Sequence, residues 1–178
     1  WRAALQWRAS QNWLAYASAS EGYKSGGFNG VVTQTYSQAT PYRPETLRAF
    51  ETGLIANWNN GAQQLKLSAF YNDYTNKQVT TYAVTPVGNI PALTNIPKSE
   101  ILGLDAEAAW RPLSSLTLTL AGAYSESRIQ RFNQVDLSRS AFPNIALLDS
   151  KGFPLPNTPR WQARASAAYQ TNLSNALD

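Results

Sequence analysis

Apolar and polar residues alternate along much of the chain with a period of two, which is the pattern of β-strands that have one apolar and one polar face. In the stretch from Gln63 to Asp73 the odd positions are apolar and most even positions are polar. The same alternation recurs in three further segments, Ile101 to Arg111, Leu116 to Ser125 and Arg160 to Gln170, and less cleanly around Trp13 and Phe50. Helical periodicity is almost absent. The pattern predicts an all-β fold of about seven antiparallel strands.

The predicted connections alternate in length. Short turns are expected near Ser10, at Asn59 to Gly61, at Pro112 to Ser114 and after Thr171. Long loops are expected from Tyr23 to Pro44, from about Thr80 to Pro97 and from Arg131 to Thr158. Short turns on one side and long loops on the other are typical of an up-and-down transmembrane β-barrel.

The dipeptide Asn60-Gly61 predicts a strand register. It is a strong signal for a type I′ hairpin turn, in which both central residues have positive φ. Such a turn pairs Asn59 with Ala62, and further along it pairs Phe50 with Tyr71. This register keeps apolar side chains on one face, whereas a slip of one residue would mix the two faces.

The aromatic residues of the apolar face lie at strand ends. A bilayer wall concentrates aromatic rings at the two headgroup levels, whereas the core of a soluble β-sandwich scatters them along the strands. The spacing from Phe50 to Trp58 corresponds to roughly 26 Å along a strand, which suits the apolar band of a barrel. The residues predicted to form this lipid-facing girdle are Trp13, Phe50, Trp58, Tyr71, Trp110, Tyr124, Trp161 and Tyr169.

The opposite face carries ionisable and amide side chains. Their number would be costly in a dry protein core, so we expect this face to line a wide, wet lumen or to meet a polar plug. The predicted lumen-facing residues are Glu51, Lys66, Asn72, Asp105, Glu107 and Arg164.

Composition narrows the possible chemistry. The chain has no Cys, His or Met, which removes thiol and imidazole chemistry, disulfides and most transition-metal sites, so we expect no bound metal or cofactor and no enzymatic activity. Its mean hydropathy of −0.36 and the absence of any run of about 18 apolar residues exclude a helical membrane protein. The net charge of +4 is scattered and forms no basic stripe for nucleic acid.

Two local features invite a catalytic or phosphate-binding interpretation. Asp105 and Glu107 share one face, as a pair of glycosidase carboxylates would, but a polar barrel wall produces such pairs without catalysis. The segment from Gly22 to Gly30 is rich in glycine but lacks the Gly-Lys-Ser/Thr ending of a phosphate loop, which favours a flexible exit from a strand into a loop.

Five groups of short motifs follow one another along the chain. They are Tyr16-Ala17-Ser18 with Gly22 to Asn29, Pro44-Glu45 with Phe50 to Leu54, Ala69 to Tyr74 with Gln78-Val79, Asn95 to Ile101 with Gly103 to Glu107, and Pro159 leading into a strand that ends at Tyr169. In this order they resemble the barrel of TonB-dependent outer-membrane receptors of the siderophore-receptor kind. Ile55 and Pro97 depart from that pattern, which argues against transferring details of ligand contact.

The resemblance implies that residues 1–178 are part of a barrel domain of about 22 strands, with the N-terminal plug, the signal peptide and the last strands lying outside this sequence. It further implies a monomeric receptor in the outer membrane of a Gram-negative bacterium. The receptor would take up a scarce nutrient, foremost a ferric siderophore, with energy from the TonB complex, which acts on the region before the barrel. Uptake of cobalamin or carbohydrate, a passive porin and a soluble or adhesive β-domain are the alternatives.

Ligand contacts are expected from the long loops and the upper lumen, because these face the medium. Cationic and aromatic side chains there suit anionic or catecholate-bearing chelates. The candidates are Tyr42, Arg43, Tyr82, Arg128 and Arg131.

Overall fold

The structure is a computed structural model that describes residues 1–30, 40–86 and 88–171. In these ranges the regular secondary structure is β-strand apart from a 3₁₀ turn at Asn59–Gly61. The strands are β1 (Arg2–Arg8), β2 (Trp13–Lys24), β3 (Gly27–Asn29), β4 (Thr40–Tyr42), β5 (Glu45–Trp58), β6 (Gln63–Thr85), β7 (Gly88–Leu113), β8 (Leu116–Arg131), β9 (Asn133–Val135), β10 (Leu147–Asp149) and β11 (Trp161–Tyr169). No helix in the described ranges is long and apolar enough to cross a membrane.

Seven strands form one antiparallel sheet in the order β1-β2-β5-β6-β7-β8-β11. Strands that follow one another in the chain are therefore neighbours in the sheet, apart from two small hairpins, β3–β4 and β9–β10, that lie within the long connections. The sheet ends in two open edges, β1 and β11. The predicted all-β, antiparallel, up-and-down fold with about seven strands is confirmed.

The turn between β5 and β6 confirms the predicted register. Asn60 and Gly61 have φ values of +53° and +86°, and the N–H of Ala62 donates a 3.0 Å hydrogen bond to the carbonyl of Asn59. The two strands then pair Ala56 with Leu65, and Phe50 with Tyr71. A local turn signal therefore set the alignment of two strands over their whole paired length.

Other connections fit the prediction to different degrees. A tight turn near Ser10 is confirmed, since the N–H of Ala9 donates to the carbonyl of Trp13 at 3.1 Å. The turn predicted at Pro112 to Ser114 lies slightly later, between Leu113 and Leu116, after a register shift that follows Trp110. The turn predicted after Thr171 and part of the loop from Tyr23 to Pro44 lie outside the described residues.

The loop predicted from about Thr80 to Pro97 is wrong. Strands β6 and β7 stay paired through this region as far as Thr85 and Gly88, so they form one long hairpin. Strand β7 includes two prolines, Pro91 and Pro97. Before Lys98, however, β7 pairs in the large sheet with β6 alone, and edge strands tolerate proline because one side needs no partner.

Apart from Ala56 near the tight turns, the buried apolar side chains of the described residues lie at the loop end of the sheet and not at its centre. Ile96, Ile129, Phe132 and Leu155 are each at most 9% exposed and form a small cluster, here called the loop-end core. The connection from β8 to β11 folds back over the sheet to complete it, and the N–H of Leu155 donates a 2.9 Å hydrogen bond to the hydroxyl of Ser127. This loop therefore packs against the strands.

Candidate functional site

The strand register separates the predicted residues into two sets. The eight aromatic residues of the predicted girdle share one side of the sheet, here called the apolar face. The six predicted lumen residues share the other side, here called the polar face. Because side chains alternate along every strand, one correct register is enough to segregate both sets across the whole sheet.

Aromatic rings of the apolar face pair across neighbouring strands in two rows. Beside the tight turns, Trp13 and Trp58 make an edge-to-face contact with ring centroids 5.8 Å apart. Toward the loops, Phe50 stacks on Tyr71 with centroids 6.5 Å apart. Tyr124 and Trp161 approach to 4.7 Å at the other end of that row. Such pairs stabilise strand pairing and form a rim at each end of the face.

The region between the aromatic rows is apolar and uncovered. Leu104 is 59% exposed and Leu120 is 62% exposed. No second layer of the described chain packs against these side chains. A contiguous apolar surface of this kind needs an apolar surrounding such as lipid or another protein.

The polar face carries a network of ion pairs and hydrogen bonds in a shallow concavity of about 430 Å³. Glu107 joins two strands at once, since it lies 2.9 Å from the ammonium of Lys66 and 3.7 Å from the guanidinium of Arg164. Arg164 reaches Glu107 across β8, where Ala121 is the small residue between them. Within the described ranges no group of three or more acidic residues is arranged to hold a metal ion.

Two aromatic side chains of the polar face lie flat against glycines. A Cβ atom at Gly53 would be 2.5 Å from the ring of Tyr16, and one at Gly103 would be 2.5 Å from the ring of Phe70. Tyr16 also donates a 2.5 Å hydrogen bond from its hydroxyl to Glu51. Sequence reasoning included Tyr16 and Phe70 only as members of short motifs and did not predict their contacts with the two glycines. A glycine inside a strand with an aromatic residue on the neighbouring strand is the signal that could have found them.

Three of the five predicted ligand residues lie in or beside the β3–β4 and β6–β7 hairpins at the loop end. Tyr42 belongs to the β3–β4 hairpin and packs its ring beside Gly27. The backbone of Arg43 is held by Asn95, whose side chain accepts its N–H at 2.7 Å and donates to its carbonyl at 3.0 Å. Tyr82 lies on the extended part of β6 and lines a groove. The β3–β4 hairpin is therefore docked against the long β6–β7 hairpin.

The groove beside Tyr82 has a volume of about 570 Å³ and runs between the β6–β7 hairpin and the folded β8–β11 loop. Its walls are mainly apolar and aromatic, including Phe132 and Phe153. Asp136 is the one charged group among the described residues that line it. The hydroxyl of Ser138 donates a 2.6 Å hydrogen bond to Asp136, which holds the pKa of that carboxyl below its ordinary value.

Arg128 and Arg131, the other two predicted ligand residues, are placed differently. Arg128 pairs with Glu100 on the apolar face, and its guanidinium lies 3.3 Å from Glu126 on that same face. Arg131 lies opposite Lys98 after a register shift. The structure therefore does not bring these arginines together with Tyr42, Arg43 and Tyr82. The prediction took nearness to a loop as access to the lumen, whereas Arg128 still follows the alternation of β8 and Arg131 lies beyond the register shift.

Comparison with known proteins gives one family and several similar structures. The family model described as "TonB dependent receptor-like, beta-barrel" matches residues 1–177. The ferric yersiniabactin uptake receptor FyuA from Yersinia pestis is similar with a TM-score of 0.67 and 20% identity, over 93% of this chain and 22% of that one. The siderophore receptor PirA from Pseudomonas aeruginosa is similar with a TM-score of 0.53 and 20% identity, over 71% of this chain and 27% of that one.

The copper transporter OprC is also similar, with a TM-score of 0.55 and 13% identity, over 72% of this chain and 20% of that one. At these low identities the structural similarity shows a shared fold alone. This chain spans about a quarter or less of the length of each of the three proteins.

Proposed function

Because the chain belongs to the TonB-dependent receptor β-barrel family, an outer-membrane type of barrel, we propose that its parent protein is a receptor that takes up a scarce ligand with energy from the TonB complex. We assign residues 1–178 to part of a barrel of about 22 strands. The parent acts as a monomer in the outer membrane of a Gram-negative bacterium, and the TonB complex engages a region that precedes the barrel.

In this assignment the apolar face contacts lipid and the polar face lines the lumen. The observation that carries it is the contrast between the two faces of one sheet. One face has exposed leucines between two aromatic rows, and the other has the ion pairs of Glu107 with Lys66 and Arg164. A sheet with this polarity suits a wall between hydrocarbon and water, and its antiparallel ladder satisfies the backbone polar groups in the absence of water.

The ligand enters at the loop end. Tyr82 and the aromatic walls of its groove offer contact to a large organic ligand, and the docked hairpins near Tyr42 and Arg43 support that rim. Arg128 and Arg131 are not included, because they belong with the opposite face. Ligand pockets combine a mostly apolar lining with a few placed polar groups, and this groove has that character.

A ferric siderophore is the ligand that we propose. Two of the similar structures are a ferric yersiniabactin uptake receptor and a siderophore receptor, and the groove lining suits the aromatic or aliphatic body of such a chelate. Cobalamin and carbohydrate are the alternative ligands for a transporter of this class. The test must distinguish their uptake from that of a ferric siderophore. A passive porin is the alternative mechanism.

Growth and uptake assays on the full-length parent test this proposal. A strain that lacks the gene is complemented with it under iron limitation, and uptake of radioactive iron is measured for a panel of purified ferric siderophores. We expect uptake of at least one siderophore to require both the gene and a functional TonB complex. Uptake that persists without TonB would indicate a porin. Uptake of cobalamin or an oligosaccharide in place of every siderophore would overturn the proposed ligand.

A further inference from the structure

Residues from four of the five motif groups meet at the base of the β3–β4 hairpin. They are the segment from Ser25 to Asn29 in the first group, Glu45 in the second, Gln78 in the third and Asn95 in the fourth. Three of these residues, Asn29, Gln78 and Asn95, have amide side chains and are here called the amide clasp. Gln78 and Asn95 lie opposite each other on β6 and β7. The amide clasp therefore joins the short β3–β4 hairpin to the long β6–β7 hairpin.

Asn95 binds both backbone polar groups of Arg43. Its side-chain oxygen accepts the N–H of Arg43 at 2.7 Å, and its amide nitrogen donates to the carbonyl of Arg43 at 3.0 Å. The same nitrogen donates to the carbonyl of Asn76 at 2.7 Å. An amide side chain carries both a donor and an acceptor, so it pairs with a peptide group much as a neighbouring strand does. Asn95 thus replaces a strand partner for Arg43.

Asn29 and Gln78 hold the hairpin at further points. The side chain of Asn29 accepts the N–H of Leu93 and donates to the carbonyl of Leu93, both at 2.8 Å. The side chain of Gln78 donates to the carbonyls of Ser25 at 2.8 Å and Arg43 at 3.2 Å. Its backbone N–H donates to the carboxylate of Glu45 at 2.7 Å. Each hairpin therefore supplies hydrogen-bond partners for backbone groups of the other.

Two glycines allow the short hairpin to pack closely beside the clasp. A Cβ atom at Gly26 would lie 2.6 Å from the carbonyl oxygen of Tyr42, and one at Gly27 would lie 2.5 Å from the Tyr42 hydroxyl. Neither space is wide enough for a side chain. The glycine-rich segment is therefore packed against the hairpin through these two residues, and the amide clasp fixes that hairpin on β6 and β7.

The docked hairpin completes a second space at the loop end. A cavity of about 250 Å³ lies between Phe28 and Tyr42 on one side and Thr80 and Pro91 on the other. Thr80 also lines the groove beside Tyr82, so the cavity and the groove adjoin. Phe28 is 69% exposed and Tyr82 is 49% exposed. Aromatic side chains from two connections thus form one surface, and the cavity exists only while the short hairpin is docked.

We propose that Asn95 and Gln78 are positioning residues for ligand binding, which act by holding the β3–β4 hairpin in its docked position. Neither residue lines the groove or the cavity, so both act through the hairpin. This role rests on the proposed function, in which the ferric chelate binds at these two adjoining spaces. A ligand that binds only the docked hairpin loses apparent affinity in proportion to the fraction of molecules in which the hairpin is docked.

Two substitutions of Asn95 in the full-length parent separate positioning from charge. Asn95→Leu removes all three side-chain hydrogen bonds with little change in size. Asn95→Asp keeps an acceptor for the N–H of Arg43 but directs a carboxylate at the carbonyls of Arg43 and Asn76. Since one hydrogen bond contributes about two- to tenfold to an equilibrium constant, we expect each variant to raise the dissociation constant of the ferric chelate about tenfold.

Binding is measured by quenching of tryptophan fluorescence in the purified protein. The probes are a tris-catecholate, a tris-hydroxamate and a phenolate-containing ferric chelate, and the variants are compared on the probe that the wild type binds most tightly. In cells, the half-saturation concentration for TonB-dependent uptake of that probe should rise, while the maximal rate stays unchanged. Hydrogen exchange of residues 25–30 and 40–43 should become faster. A merely structural defect would lower the amount of assembled barrel and the maximal rate.

Asn57→Asp is the matched control. It makes the same chemical change on the polar face near the tight turns, where Asn57 accepts a 2.9 Å hydrogen bond from Gln64 that a carboxylate also accepts. This variant should keep the wild-type dissociation constant, half-saturation concentration and hydrogen exchange. Heat-modifiable mobility on a gel shows whether each barrel has formed. If Asn95→Leu does not assemble, Gln78→Met removes the bonds to Ser25 and Arg43 and carries the same expectation.

An unchanged dissociation constant in an assembled Asn95→Leu barrel would overturn the positioning role and leave the proposed function standing. A rise confined to Asn95→Asp would also overturn it, because the effect would then be repulsion of the chelate by the new charge. Weaker binding without faster hydrogen exchange would mean that Asn95 contacts the chelate directly, against the proposal. A wild-type protein that binds none of the three chelates would remove the proposed ligand, and the positioning role with it.

Discussion

Gly53 and Gly103 show how single residues shape the polar face. At each position an aromatic ring from a neighbouring strand occupies the space where a side chain would be. Glycine in the interior of a strand normally weakens it, because it adds backbone freedom and offers nothing to pack. Here the ring of Tyr16 or Phe70 covers the exposed backbone, and Tyr16 is placed to reach Glu51.

Substitution at Gly103 tests this close packing. Gly103→Ala brings the new Cβ to 2.5 Å from the ring of Phe70 and 2.6 Å from the carbonyl oxygen of Tyr124, which is backbone and cannot rotate away. We expect a loss of about 1–3 kcal/mol in the free energy of unfolding, as for other overpacked sites. The measurement is denaturant unfolding of the full-length parent in detergent.

Gly122 provides the matched control on the next strand. A Cβ there would meet only the carbonyl oxygen of Gln162, at 3.8 Å, which is ordinary contact. Gly122→Ala should therefore leave the unfolding midpoint within error of the wild type. An equal loss of stability at the two positions would contradict the clash at Gly103, because Gly122 has room for a methyl group.

At the scale of elements, the connection from β8 to β11 is a structured unit. Phe132 and Leu155 of this connection pack with Ile96 of β7 and Ile129 of β8 to form the loop-end core, and its β9–β10 hairpin contributes Val135 and Leu148 to the lining of the groove. Backbone hydrogen bonds join it to β8, since the N–H of Ile129 donates to the carbonyl of Phe153 at 2.9 Å and the N–H of Gly152 donates to the carbonyl of Ile129 at 2.7 Å. The groove beside Tyr82 therefore lies between two structured elements, the β6–β7 hairpin and the folded β8–β11 connection.

The stability of the β9–β10 hairpin should depend on pH through the carboxyl group of Asp136. Because the Ser138 hydroxyl lowers the pKa of Asp136 in the folded loop, the interaction stabilises the loop above the pKa of the unfolded chain and is lost as pH falls through the folded value. Hydrogen exchange of residues 133–149 in the full-length parent should accordingly accelerate as pH is lowered below about 4, after correction for the intrinsic rate.

Asp136→Asn should remove that acceleration, because the amide does not titrate. Asp149 accepts a 2.9 Å hydrogen bond from the backbone of Lys151 in the same loop, so Asp149→Asn is a suitable control and should keep the wild-type response. A loop whose exchange responds identically to pH in wild type and Asp136→Asn would show that another group controls it.

At the scale of the whole molecule, the two faces decide how the protein assembles. The sheet has no closed core in the described chain, and its central leucines are open to the surroundings. In the proposed barrel, stability then comes from strand pairing, from closure with further strands and from the surrounding lipid. A charged residue on the apolar face should consequently impair assembly more than the same residue at the next position of the strand, which lies on the polar face.

Leu67 and Ser68 allow that comparison within β6. Leu67→Arg puts a cation midway between the aromatic rows, at an expected cost of about 2–4 kcal/mol, and should block assembly of the full-length parent into a detergent-resistant barrel. Ser68→Arg puts it on the polar face opposite Asp105, and assembly should proceed. Leu118→Arg, which is nearer the tight turns, should have a smaller effect than Leu67→Arg because the cost falls toward the interface. Normal assembly of Leu67→Arg in heat-modifiability assays would contradict a lipid-facing role.

The amino-acid sequence alone determined the features that depend on near neighbours in the chain. Alternation assigned Leu67 and Lys66 to opposite faces, since side-chain direction repeats every two residues in any strand. Positive φ at Asn60 and Gly61 is a local backbone preference, so the register of β5 with β6 followed from a dipeptide. The ordered motifs likewise identified the family, because each motif consists of residues that are close together in the sequence.

Only the tertiary structure decided which distant residues meet. The β6–β7 hairpin extends through Pro91 because β7 is free on one side there, a fact about neighbours in the sheet. Arg164 reaches Glu107 because Ala121 leaves room between them. Arg128 lies opposite Glu100 on the apolar face and does not join Tyr82 in the groove, since its face depends on the register carried along β8. Such contacts join residues far apart in the chain, and no local pattern encodes them.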